Sequence, residues 1–212
     1  IEDTAGLFAP AWTFDADTYS VYRGVVGDYY YVTVGSGKNQ RRERRIRYRP
    51  VHGTYAQFFD DVVVHASGTL DKKRLQKIGP YPTKDATTYK PEYIAGYSAE
   101  KYQLGLAPGW AQAKNGIDAT IRSRIIASLH CDVVQSLSIT TDYRDKKFKY
   151  ILLPLFLFKH KFKEKLYQVY LNACTRKIAG EYPKSAGKIL ALVFSIVGAV
   201  ALAVLIGWLV TR

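Results

Sequence analysis

Methionine is absent from the 212 residues, and the chain opens on isoleucine, so it reads as a processed or truncated product. Cysteine is nearly absent too. Cys131 and Cys174 are the only two, and without CxxC spacing they exclude an internal disulfide scaffold and a zinc ribbon. They fit a reducing compartment. Acidic side chains are scarce, 18 against 31 Lys and Arg, which leaves a net charge of +13. Such a balance suits an anionic partner: lipid headgroups, nucleic acid or an acidic protein face.

Catalytic signatures are missing as well. No GxxxxGK[ST], G-x-S-x-G or H-E-x-x-H occurs anywhere. The stretch at 34–40, VGSGKNQ, has a Gly and a Lys but neither the spacing nor the following helix of a phosphate loop. Asp60 and Asp61 are adjacent, and neighbours in a strand face opposite sides, so they are not expected to share a proton or a metal. His130, Cys131, His160 and Cys174 sit near the ends of predicted elements, but no pair has a recognised ligand spacing. The expectation is a non-enzymatic protein with no cofactor and no metal.

One long apolar run is present. Residues 189–210, ILALVFSIVGAVALAVLIGWLV, carry no charged side chain. At ~1.5 Å per helical residue they reach roughly 33 Å, the thickness of a bilayer core. Trp208 stands near one end, and Lys184, Lys188 and Arg212 bracket the run. The reading is a single-pass transmembrane helix in the cell membrane. Arg176, Lys177, Lys184 and Lys188 precede it and only Arg212 follows, which places the soluble domain in the cytoplasm. Ala191, Ser195, Ala199, Ala203 and Gly207 recur every fourth residue and outline a shallow groove for packing against another span, of a second copy or of a partner.

The rest of the chain predicts an α+β fold in two subdomains. Residues 1–67 read as a β-rich subdomain. Tyr29, Tyr30, Tyr31, Val32, Thr33 and Val34 form one β-prone run, GSGKNQ at 35–40 a connection, and RRERRIRYRPV at 41–51 the return strand. Residues 68–93 read as an irregular linker containing a short helix. Residues 94–183 read as a helix on a four-stranded antiparallel sheet, and 184–212 as the anchor. In the helix, Trp110, Ala113, Ile117, Ile121, Ile125 and Leu129 recur at spacings of three and four. That stripe is expected against Leu137, Ile139 and Ile151. Pro154, inside the apolar run at 150–158, demands an edge or a bulge.

The sharpest charge feature is Arg41, Arg42, Arg44, Arg45, Arg47 and Arg49 within nine positions. Period-two alternation puts Arg45, Arg47 and Arg49 on one face and Ile46 and Tyr48 on the other. The six are candidates for binding an anionic surface. The alternatives are a solvated sheet face, or nucleic acid with Tyr48 and the preceding tyrosines stacking on bases.

Four stretches in order give the chain a resemblance: 29–67, then KPEYIAGYSAEKYQ, then FKYILLPLFLF, then YLNACTRKIAGEYP. Together they resemble a bacterial family of membrane-anchored proteins that usually begin with a TFIIB-type zinc ribbon and are often labelled primosomal, replication-factor-Y-like helicases. The resemblance covers roughly residues 20–190. It implies a membrane-maintenance scaffold working beside SPFH-domain and phage-shock-protein-A-like partners, in a membrane-stress setting. Three features depart from the family. The zinc ribbon is missing, the helicase label has no phosphate loop behind it, and the family's Asn-Gly-Gln-Thr-Gly hairpin is here Asn172, Ala173, Cys174, Thr175 and Arg176. Without either glycine that turn is expected to be wider or strained.

The function expected from all this is a membrane-anchored scaffold or adaptor that meets anionic lipid headgroups and other membrane proteins in preference to nucleic acid, as a homo- or hetero-oligomer. The second reading is a tethered nucleic-acid-binding protein.

Overall fold

The computed structural model describes residues 3–162, 165–181 and 195. Three strands of unusual length dominate it: β1 (Asp3–Val34), β2 (Arg41–His65) and β4 (Val133–Phe162). The short strands are β3 (Ser98–Ala99), β5 (Lys165–Asn172) and β6 (Ile178–Gly180), and the helices are α1 (Lys72–Lys77) and α2 (Leu106–Ser128). One sheet contains every described strand, in the order β2-β1-β4-β5-β6, with β3 added parallel to β1 at Leu7 and Phe8.

The expected α+β pair of subdomains is therefore corrected. β1 is paired on one edge with β2 and on the other with β4, from Asp3 against Lys159 to Gly27 against Val133. Backbone hydrogen bonds thus run straight across the boundary expected at residues 68–93. The described residues are mostly antiparallel sheet, with α1 on one face and α2 on the other. Two of the four strands expected in residues 94–183 are one bent strand, β4. The single-pass membrane architecture is not shown either. No helix among the described residues is long and apolar enough to cross a membrane, and residues 189–210, Ser195 apart, lie outside the described residues.

Alternation along β1 sorts the core into two faces. Ala9 and Ala11 join Leu153, Leu155 and Leu157 of β4 beneath Leu75 of α1, Ile78 and Tyr81. Trp12 and Phe14 point the other way, to Val64, Ala66 and Ala113. Further along that second face, Ile117, Ile121 and Ile125 of α2 seat on Phe59, Leu137, Ile139 and Tyr143. The stripe of α2 thus meets Leu137 and Ile139 as expected, whereas Ile151 lies on the opposite face, in the α1 cluster. Pro154 sits one residue beyond the last β5 pair, Leu155 against Asn172, where β4 is the edge of the sheet.

All three long strands lose their register in one row. β1 shifts against β2 between Phe14 and Ala16, and against β4 between Asp15 and Asp17. Asp61 of β2 and Asp145 of β4 adopt φ of 50° and 45° there. An extra residue in each flanking strand twists and bends the sheet. At the β5–β6 turn, Arg176 takes the φ of 59° that glycine would adopt freely, and the fully buried Asn172 ties the turn together. Its Oδ1 accepts the Cys174 and Thr175 N–H groups, and its Nδ2 donates to Ile78 O at 3.0 Å.

Candidate functional site

β4 pairs with β1 no further than Gly27, and α2 ends at Ser128. Tyr29 N–H still donates to Asp132 Oδ2 at 2.7 Å, and beyond that root residues 28–34 and 41–47 continue as a two-stranded ribbon closed by a 3-10 turn at Gly37–Asn39. Seven residues at ~3.3 Å each give an arm of roughly 23 Å. Every residue from 41 to 50 is exposed.

The register assigns each side chain to a face. Asp28 pairs with Arg47, Tyr30 with Arg45, Val32 with Glu43 and Val34 with Arg41, so these share the face turned to the α2 side. Tyr29 with Ile46, Tyr31 with Arg44 and Thr33 with Arg42 form the other. Three guanidinium groups lie across the ribbon over tyrosine rings. Arg42 is 4.6 Å from the centroid of Tyr31, Arg44 is 4.4 Å from Tyr29, and Arg47 is 5.1 Å from Tyr30. Each stack is worth about 0.5–1 kcal/mol at an exposed site and holds the cation close to the ribbon surface. A stacked guanidinium keeps its in-plane N–H donors for an anion.

Arg49 differs from the other five. It is 3.0 Å from the Asp28 carboxylate and donates through Nη2 to Leu129 O at 2.8 Å. Its charge joins the root of the arm to the end of α2, so it is a brace. Arg45 approaches Glu43 at 3.8 Å, with both side chains about half exposed. Five arginines are thus not anchored to the body of the fold, four of them in no ion pair among the described residues and Arg45 loosely paired with Glu43, and they lie on both faces of one ribbon.

The register break creates a cluster that the doublet of aspartates did not suggest. Positive φ at Asp61 turns its side chain to the same side as Asp60, and one carboxylate oxygen from each of Asp15, Asp60 and Asp61 lies within 4.8 Å of the others. The expectation that Asp60 and Asp61 point apart is corrected, because strict alternation ends at a bulge. The cluster is already compensated. Asp61 Oδ1 accepts from Lys149 Nζ at 2.7 Å, its Oδ2 from Thr83 at 2.8 Å, and Lys84 lies 3.4 Å from Asp60. Asp15 accepts the Asp61 N–H at 2.9 Å. Burial pushes the Asp61 carboxyl up, but the hydrogen bonds from Lys149 and Thr83 outweigh it and the value falls below the ordinary one. Two ammonium groups stand where a cation would bind. Among the described residues, His130, Cys131, His160 and Cys174 do not gather into a metal-binding group.

A half-open cavity of about 860 Å³ lies between β4 and the turns at Thr83–Asp85 and Pro91–Ile94. Its walls are chiefly apolar and aromatic: Phe8, Tyr89, Tyr93, Tyr150, Leu153 and Pro154. Glu100 at its rim is occupied. It accepts from Ser67 Oγ and from the Gly68 and Thr69 N–H groups, which hold its carboxyl below the usual value against the upward push of burial. Nearby His65 is buried with its Nδ1 unpartnered, and burial, helped by Lys72, pushes it down to about 4. Neither the cavity nor His65 was flagged by a motif; the tyrosine density of residues 81–102 was the available signal.

Of the small residues expected to pack transmembrane helices, Ala191, Ala199, Ala203 and Gly207 lie outside the described residues, and Ser195 is described only as a helical position.

No family model matches the chain, and no solved structure matches it. Over 210 residues it is 25% identical to "Uncharacterized protein YdjG" of Bacillus subtilis (strain 168), an alignment covering 96% of this chain and 59% of that protein. The chain therefore spans under two thirds of the relative's length.

Proposed function

We propose that the chain is a non-enzymatic scaffold or adaptor that holds a basic β-arm out to an anionic partner. The projection of the arm carries this reading: five arginines not anchored to the body of the fold, four of them in no ion pair among the described residues and Arg45 loosely paired with Glu43, sit on a ribbon that leaves the sheet beyond its last neighbouring strand and helix. The other end of the sheet supports it. Asp3 pairs with Lys159, Lys159 with Gln168, and Glu181 N–H donates to Gln168 O, so residues 3 and 181 share one row. From that row to Val34 the strand has a contour of roughly 100 Å at ~3.3 Å per residue. Residues 3 and 181 of the described sheet are thus at the opposite end of β1 from the arm. The resemblance to membrane-maintenance proteins agrees with a bridging role, and the compensated carboxylates agree with a binding role over a catalytic one.

Heparin chromatography of the full chain tests the reading. Wild type should be retained to well above physiological salt. The combined change of Arg41, Arg42, Arg44, Arg45 and Arg47 to Glu should elute early with an unchanged circular dichroism spectrum. Equal retention of the two proteins would place the anion-binding surface elsewhere and overturn the proposal.

A further inference from the structure

Resting on that reading, we infer that the partner of the arm is a double-stranded nucleic acid, entered through a groove. The distribution of charge separates this from a lipid surface. Arg41, Arg45 and Arg47 lie on one face of the ribbon and Arg42 and Arg44 on the other. A flat ribbon laid on a bilayer engages one face and leaves the other in water. A groove has phosphates along both walls, so both faces are used at once. The major groove of B-form DNA, about 12 Å wide and 8.5 Å deep, admits a two-stranded ribbon. The free length of the arm, roughly 23 Å, exceeds that depth, so the duplex meets the arm before it meets α2.

The local chemistry agrees. Arg42, Arg44 and Arg47 are held over Tyr31, Tyr29 and Tyr30, which fixes three cations on the two faces before a partner arrives. Preorganised guanidinium groups recognise phosphate through paired N–H donors. Glu43 and Asp28 are the acidic residues of the ribbon, and each already faces an arginine, Arg45 and Arg49. Little negative charge is left to repel a phosphate backbone.

Fluorescence anisotropy with a labelled 20-base-pair duplex tests the inference, alongside sedimentation with phosphatidylglycerol vesicles and a single strand of equal length. Two paired variants separate the faces: Arg42→Glu with Arg44→Glu, and Arg45→Glu with Arg47→Glu. Wild type should prefer the duplex to the single strand, and log affinity against log salt should fall with a slope near −4.5 for about five phosphates. Each paired variant should bind the duplex at least ~10-fold more weakly and lower the slope by about 2. Should a glutamate pair unfold the arm, the matching Arg→Gln pair gives the same comparison. A face pair whose loss leaves duplex affinity unchanged overturns the inference. So does equal binding of single strand, or binding of vesicles without duplex. Heparin retention lost through the arm, with no duplex binding, would leave the scaffold proposal standing and remove only this one.

Discussion

Arg49 of β2 donates to the main-chain carbonyl of Leu129 at 2.8 Å, across 80 positions of sequence. Leu129 caps α2, where unpaired carbonyls make the helix end negative and a cation is favourable. The same guanidinium reaches Asp28, so one side chain fastens the arm to the sheet and to the helix. Arg49→Ala should cost about 1 kcal/mol, the scale of a partly exposed ion pair plus one hydrogen bond. Hydrogen exchange at residues 28–34 and 41–47 should quicken, while anion affinity falls less than for Arg42→Ala with Arg44→Ala. An equal fall would mean that Arg49 meets the partner directly.

Ile121 is fully buried in the α2 cluster. Ile121→Ala should destabilise by roughly 2–5 kcal/mol, whereas Ile178→Ala, at a residue 66% exposed, should be nearly neutral. Urea unfolding of both variants checks it. A cost below about 0.5 kcal/mol for Ile121→Ala would remove α2 from the core.

The Asp61 N–H depends on Asp15 for its acceptor. Asp15→Ala leaves that donor bare at the bend and should cost about 1–3 kcal/mol. At Asp61 itself, φ of 50° favours Asn over a β-branched residue. Asp61→Asn should therefore be milder than Asp61→Val by at least ~1 kcal/mol. Thermal or urea unfolding that ranks the two alike would mean the bend does not need the left-handed conformation.

His65 titrates at about 4 in the folded chain against an ordinary 6.5. A depressed folded value means the unfolded chain binds the proton first. The contribution is therefore fully present above pH ~6.5 and is lost as pH falls from there to about 4. The fall from 6.5 to about 4 corresponds to at most roughly 3.5 kcal/mol. Urea midpoints should drop between pH 7 and pH 4.5, and the drop should shrink in His65→Phe. An identical profile in that variant would assign the acid sensitivity to other groups.

Local chemistry was legible in the sequence, and register was not. Alternation and aromatic content marked the ribbon with its turn at 35–40, and the 3.6-residue stripe marked α2, because both periods reflect neighbours a few residues apart. The six arginines were visible as a run. Their division into five on the free ribbon and one brace was not, since Asp28 and Leu129 approach Arg49 only after the sheet forms. The bulge row was equally hidden. Asp60 and Asp61 follow the alternation rule in any isolated strand, and what breaks it is the extra residue forced against β1.

By itself the sequence determined the net charge of +13, the strand-forming stretches and the apolar face of α2. Only the tertiary structure decided that the halves share one sheet, that its middle bends at Asp15, and that the arginines end on a free arm. The physical reason is that a strand's outer hydrogen bonds are satisfied by any other strand, so local pattern names the strands without naming their partners. Partner choice was settled by burying one face of β1 under α1 and the other under α2 while its edge pairs with β4, more than a hundred positions away.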